Sequence, residues 1–302
     1  MSVRDQTFEH LRQLPVARRW VLAARLKTVG LSLTPVLCGT WIATHGHGVN
    51  VALAICAALS ALAIQVGTNL WNDAADAERG TDTDERLGPP RMTALGLLDA
   101  TQVKSAAHLA FATAIIAGLP LVAAGGWPII AIGLASLLLG YVYSMGPLPL
   151  SHTPLGELIV VIFFGVIAVT GTAYVMGADL TKQGIVAGLM MGLPSGGVLL
   201  LNNHRDRRTD EAAGRMTLAI LADVPGAKII YGAMLFGAVA LLPVLAVRTT
   251  LLPAVVSLLG LMAAALSYGV WRTPISAEIN RFLPLTVLLQ FALFVALVIS
   301  GG

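Results

Sequence analysis

Apolar residues recur in long blocks along almost the whole chain, separated by short Gly- and Pro-marked turns or by polar connections. Nine blocks are long enough to be read as membrane-crossing helices, which need about 20 mostly apolar residues. They cover about 27–44, 50–71, 103–124, 127–145, 156–177, 183–203, 227–247, 250–271 and 282–300. Gly46 and Gly48, Gly125 and Gly126 before Pro128, Gly146 before Pro147, and Pro274 mark several of the ends. Two connections are longer and polar, about 72–102 and 204–226. The pattern predicts an all-α fold: a polytopic membrane bundle of nine transmembrane helices, with cap loops on one face.

Composition agrees. The chain has 302 residues, 56% hydrophobic and 12% charged, against about 25% charged in soluble domains. Mean hydropathy is +0.80. Length alone suggests two soluble domains, but the continuity of the apolar blocks predicts one domain over 1–302, preceded within it by a polar segment, 1–24. Cys38 and Cys56 lie inside apolar blocks and suggest neither a disulfide framework nor a Cys-based metal site.

Charge then sets the orientation. Lys and Arg favour the cytosolic side of a membrane. With the N-terminus inside, all of the 19 Lys and Arg residues except Lys182 and Arg248 fall on inner segments. Both polar connections then face the cytosol, and the C-terminus is outside.

The chemistry concentrates in those connections. The first holds Asn69, Asn72, Asp73, Asp76, Asp82 and Arg86; Asn72 and Asp76 are four apart and share a helical face. The second holds Asn202, Asn203, Arg205, Asp206 and Asp210, with Asn202, Asp206 and Asp210 on one stripe of a continued helix. Ionisable groups at a membrane edge point to function. Two acidic stripes repel unless cations lie between them. Oxygen donors of this type suit Mg²⁺, which prefers carboxylates together with phosphate oxygens, and interleaved arginines suit those phosphates. Asp5, Glu9, Asp84, Glu85, Asp99 and Asp223 are read as solvated surface, and His45 and His47 as polar turn residues. A carboxylate-coupled transporter would carry ionisable groups near the bilayer midplane, and the spans have none centrally.

These residues resemble the UbiA-type intramembrane prenyltransferases, and within them the 1,4-dihydroxy-2-naphthoate prenyltransferases of menaquinone synthesis. The first motif is carried by Asn72, Asp73, Asp76, Gly80, Asp82, Arg86, Gly88 and Pro89. The second is carried by Asn202, Asn203, Arg205, Asp206, Asp210, Gly214, Thr217, Leu218 and Ala219. Arg25, Lys27 and Thr28, Tyr143 and Ser144, and Leu155-Gly156-Glu157 extend the likeness over about 25–220. Arg215 stands where the family usually has Lys, and Leu26 where it often has Pro. The 4-hydroxybenzoate branch usually has Asp at the position of Gly80, so Gly80 with Asp82 favours the naphthoate branch; another phenol as acceptor, or terpene cyclisation, remains an alternative.

The resemblance implies a central apolar cavity within the helical bundle, a reaction and a set of roles. Two Mg²⁺ ions, held by Asn72, Asp73, Asp76, Asp82, Asp206 and Asp210, meet the diphosphate of a polyprenyl donor. Asp76, Asp206 and Asp210 are the expected catalytic residues. Arg86, Arg205 and Arg215 are expected on the diphosphate, and Arg25, Lys27, Asn69 and Tyr143 at the aromatic acceptor. Glu157 either contacts the cavity or caps its helix. The partners implied are polyprenyl diphosphate, an aromatic acceptor and the lipid bilayer, and the setting is a bacterial inner membrane.

Overall fold

The computed structural model describes residues 3–45, 48–78, 87–142, 150–246 and 250–301, and all the secondary structure among them is helical. Two short polar helices, α1 (Val3–Gln13) and α2 (Val16–Ala23), open the chain. Then come α3 (Gly30–Thr44), α4 (Val51–Glu78), α5 (Ala100–Gly125) and α6 (Trp127–Val142). The next apolar block is one helix built from α7 (Gly156–Val161), a π-helical stretch (Ile162–Ile167) and α8 (Ala168–Val175). It is followed by α9 (Lys182–Arg205), α10 (Arg207–Ala212), α11 (Leu218–Leu221), α12 (Asp223–Leu245), α13 (Leu252–Arg272) and α14 (Phe282–Ile299).

Seven of these helical segments are long and apolar enough to cross a membrane. Two of the nine expected spans are shorter: α3 has 15 residues and α6 has 16. At 1.5 Å per residue they reach about 22–24 Å, less than the roughly 30 Å of a bilayer core. In α3 the start is delayed by a tight turn, because Leu26–Thr28 forms a separate 3-10 segment after Arg25.

Burial separates lipid-facing helices from a hub. An 18-residue apolar stretch of α9 is 72% buried, whereas those of the other long helices are 22–44% buried. Leu109, Ile116, Leu134, Leu258 and Leu261 are 63–69% exposed. Such apolar side chains turned outward are the surface that lipid, not water, solvates. The chain is an integral membrane protein.

The helix α9 packs against α3, α7, α8, α12 and α14. Toward the span containing α7 and α8 its contact is made by small residues four apart, Gly188, Gly192 and Gly196. A Cβ on Gly192 would overlap the Val161 carbonyl oxygen, and one on Gly165 would overlap the Gly188 carbonyl oxygen. Small residues let two membrane helices approach backbone to backbone. On the other side, Gln290 Nε2 of α14 donates to the Met191 carbonyl (2.7 Å) and to Ser195 Oγ (2.9 Å), next to Pro194 in α9. Tyr231 on α12 bonds Thr286 on α14 at 2.7 Å. These buried bonds replace the water that a membrane interior lacks.

At one end of the bundle the polar segments are tied down. Arg19 of α2 donates to the carbonyls of Arg12 and Leu14, at 2.6 and 3.2 Å, and of Leu97, at 3.4 Å. Leu11 packs with Trp71, Met92 and Leu98. Asp99, expected as plain surface, caps α5 by accepting from Gln102 N at 2.9 Å.

Candidate active site

The site grows from the last turns of α4. Gln65, Asn69, Asn72 and Asp76 fall at steps of four, three and four, so their positions share a face. The first two are clamps. Gln65 Nε2 donates to the Thr28 carbonyl (2.9 Å) and to Thr28 Oγ1 (3.3 Å), and Asn69 Nδ2 donates to the Ala24 carbonyl (3.0 Å). The segment they hold contains Arg25 in a left-handed conformation, φ 53° and ψ 46°. For a residue with a Cβ that backbone costs about 1–2 kcal/mol, and it persists only where surrounding bonds impose it. Thr28 helps, since its N–H and its Oγ1 both donate to the Arg25 carbonyl, at 3.0 and 2.9 Å. Asn69, expected at the acceptor, thus fixes the turn that presents Arg25.

Asn72 and Asp73 meet the loop that follows. Arg91 Nη1 donates to the Asn72 carbonyl, six residues before the end of α4. Asp73 is 2% exposed. One of its carboxylate oxygens accepts from Thr93 Oγ1 at 2.5 Å and from Thr93 N at 3.4 Å. Expected among the metal donors, Asp73 anchors the 91–98 turn against α4. The side chains of Lys27 and Asp76, and residues Gly80, Asp82, Arg86 and Tyr143, lie outside the described residues.

The second motif ends α9. Asp206 is the C-cap, with φ −89° and ψ 7°, and α10 starts one residue later. The helix expected to run through is broken there, yet the i to i+4 bonds persist: Asp206 N donates to Asn202 O at 3.0 Å and Asp210 N to Asp206 O at 2.9 Å. The three positions therefore still share a face.

Arginines hold this stripe. Arg205, 2% exposed, donates from Nε and Nη2 to the two carboxylate oxygens of Asp206, at 2.9 and 2.5 Å. Its Nη1 donates to Asn202 Oδ1 (2.8 Å) and Asn280 Oδ1 (2.5 Å). Arg215 Nη1 donates to Asp210 Oδ1 at 3.0 Å. Both arginines, expected on a diphosphate, engage the motif's own aspartates. Bidentate pairing fixes a carboxylate in orientation as well as in charge.

Three participants, Asn280, Arg91 and Thr93, have no role in the motifs read from the sequence, and the motif residue Asn203 gains a partner. Asn280 donates from Nδ2 to the Leu87 carbonyl at 3.1 Å while accepting from Arg205. It joins the loop of the first motif to the second motif. The polar run Glu278, Asn280 and Arg281 just before the last apolar block was its only local signal. Arg91 and Thr93 brace α4 as described. Asn203 donates from Nδ2 to Glu157 Oε1 at 2.8 Å, tying α9 to the start of α7.

The oxygen donors of the two motifs, the Asn72 amide and the Asp206 and Asp210 carboxylates, are hard ligands. That chemistry fits Mg²⁺ and not a metal selected by nitrogen or sulfur. Among the described residues no three His, Cys, Asp or Glu side chains converge on one point.

A helical membrane bundle with two Asn/Asp motifs braced together at one end defines a class of intramembrane transferase, and the comparisons agree: residues 32–299 match the UbiA prenyltransferase family model, so the chain belongs to that family and is a prenyltransferase. It is similar to the 1,4-dihydroxy-2-naphthoate octaprenyltransferase of Mycobacterium tuberculosis (strain ATCC 25618 / H37Rv), 34% identical over 72% of this chain and 74% of the relative. The protein of the same name from Bacillus subtilis (strain 168) is also 34% identical, over 69% and 67%. Among solved structures, a UbiA homolog from Archaeoglobus fulgidus bound to DMAPP and Mg²⁺ superposes with a TM-score of 0.64 at 14% identity, covering 93% of this chain and 99% of that one. The apo UbiA homolog from Aeropyrum pernix K1 gives 0.66 at 13%, covering 96% and 100%. At these identities the structural likeness speaks to the fold.

Proposed function

We propose that this prenyltransferase moves a polyprenyl group from polyprenyl diphosphate to 1,4-dihydroxy-2-naphthoate, with loss of CO₂, to give demethylmenaquinone. The observation that carries this reading is the bracing of the two motifs: Arg205 holds Asp206 and Asn202, and through Asn280 reaches the loop that follows Asn72 and Asp76. The names of the relatives and the Gly80/Asp82 arrangement support the naphthoate acceptor.

Asn72, Asp76, Asp82, Asp206 and Asp210 would hold Mg²⁺, two ions in all. When bound, Mg²⁺ supplies neutralising charge to a diphosphate leaving group. The chain's own residues do the rest. Arg205 holds both carboxylate oxygens of Asp206 in a fixed orientation, Arg215 holds one of Asp210, and Asp73 holds the 91–98 turn. Arg86 and Arg215 meet the diphosphate. Arg25, presented by Asn69 and Gln65, binds the acceptor carboxylate, with Lys27 and Tyr143 at the same acceptor. The apolar helices solvate the isoprenoid tail and exclude water from the reacting carbon.

With the two shorter helices counted as crossings, the bundle has nine. The distribution of Lys and Arg supports a cytosolic N-terminus, an outer C-terminus and a cytosolic site in a bacterial inner membrane. The test is to incubate membranes carrying the protein with a polyprenyl diphosphate and a panel of aromatic acids, and to weigh the products. A prenylated naphthalenediol without its carboxylate is expected. A product that retains the carboxylate, as from 4-hydroxybenzoate, overturns the assignment.

A further inference from the structure

Glu157 is 1% exposed, at the start of α7. Its Oε1 accepts from Asn203 Nδ2 at 2.8 Å. Its Oε2 is buried and has no hydrogen-bond partner. A half-satisfied carboxyl buried in a membrane protein is expensive, and apolar residues that would do the same packing abound in this chain. Its position is telling: Asn203, which holds it, adjoins Asn202 of the motif stripe, and a Cβ on Gly196 of α9 would lie 3.3 Å from the Glu157 carbonyl. The carboxyl is thus fixed against the motif helix by one oxygen, while the other lacks a donor.

We infer that Glu157 is a catalytic base that takes the hydroxyl proton of the aromatic acceptor through Oε2. This rests on the reading that the acceptor is a hydroxy-aromatic acid. The acceptor O–H bond breaks, its proton goes to Oε2, and its electron pair moves into the ring. The ring carbon ortho to that oxygen forms a bond to the allylic carbon of the donor. The allylic C–O bond breaks, and its electron pair leaves with the diphosphate. The bond from that ring carbon to the carboxylate then breaks, CO₂ departs, and the electron pair restores the aromatic ring. The oxygen recovers its proton from Glu157, which ends as it began. Asn203 is the positioning residue, since it holds Oε1 and leaves Oε2 for the acceptor.

The test uses the purified protein in lipid nanodiscs. Glu157→Gln keeps an oxygen for Asn203 and puts an N–H donor where the accepting oxygen was. Positioned bases contribute about 10²–10⁴-fold. The kcat/KM for 1,4-dihydroxy-2-naphthoate should fall by about 10²-fold or more, while the Kd for geranyl diphosphate with Mg²⁺ stays at the wild-type value. Across a series of ring-substituted acceptors, the deficit should shrink as the hydroxyl becomes more acidic. Unchanged kcat/KM overturns the inference. So does an equal deficit across the series, or weakened donor binding, either of which makes Glu157 a packing element of α9. If the wild-type protein prenylates no aromatic acid at all, the acceptor reading has failed, and the base falls with it.

Discussion

Asn280 and Leu87 are 193 positions apart, yet the Asn280 side-chain amide donates to the Leu87 carbonyl at 3.1 Å while its oxygen accepts from Arg205. One short side chain therefore closes the site between the loop after α4, the end of α9 and the turn before α14.

Replacing Asn280 by Ala should leave Arg205 short of one acceptor and free the loop at Leu87. A buried group left without its partner costs about 1–3 kcal/mol. The expected result is a drop in turnover of roughly 10-fold, with a lowered Tm in detergent. Turnover and Tm at wild-type values would remove the bridge from the working site.

Arg205→Lys keeps the charge and loses the fork. A lysine cannot span both Asp206 oxygens and Asn202 together, and a buried acceptor left without its donor costs about 1–3 kcal/mol. Activity should fall at least as far as in Asn280→Ala, and donor KM should rise. Lysine function equal to arginine would mean that charge alone matters at this position.

Arg25 offers a separation of backbone from side chain. In a left-handed conformation glycine is unstrained, so Arg25→Gly should keep a higher Tm than Arg25→Ala. Both Arg25→Gly and Arg25→Ala should raise acceptor KM, by roughly 10- to 150-fold for a charged hydrogen bond of about 1.5–3 kcal/mol. Donor KM should move little. Equal changes for both substrates would take Arg25 away from the acceptor.

Metal dependence should track the stripe residues. Asp206→Ala and Asp76→Ala should nearly abolish turnover, as should excess chelator, with recovery on adding Mg²⁺. Asp223→Asn is the control. That side chain is 81% exposed and its φ is 65°, a conformation asparagine tolerates. Full activity in chelator, or equal loss in the control, would refute the metal assignment.

Much of this was legible in the sequence because membrane physics writes itself locally. A block of about 20 apolar residues is a span whatever it touches, so the long helices were readable. Asn72 and Asp76, and Asn202, Asp206 and Asp210, were readable because helical spacing is local. The break at Asp206 was not, since its i to i+4 bonds continue across it. The shortness of α3 was also hidden: it follows from a left-handed Arg25 held by Gln65 and Asn69, tens of residues away. Asn280, Thr93 and the Glu157–Asn203 pair were illegible for the same reason. Each is one polar side chain reaching a distant partner, and nothing in its own neighbourhood announces that partner. The resemblance places Arg205 and Arg215 on the diphosphate; that each also has an acidic partner inside the motif was visible only in the structure.

Where Gly192 meets Val161 and Gly165 meets Gly188 there is no room for even one added carbon. A greasy tail many carbons long cannot slide between those two helices, nor can product leave there for the surrounding lipid. Gly192→Leu, which overfills that contact at about 1–3 kcal/mol or more, should cut the yield of folded protein, whereas Gly133→Ala, with nothing within 4 Å, should not. That flank of α9 is a sealed wall, and traffic between the bilayer and the motif residues must use another side of the bundle.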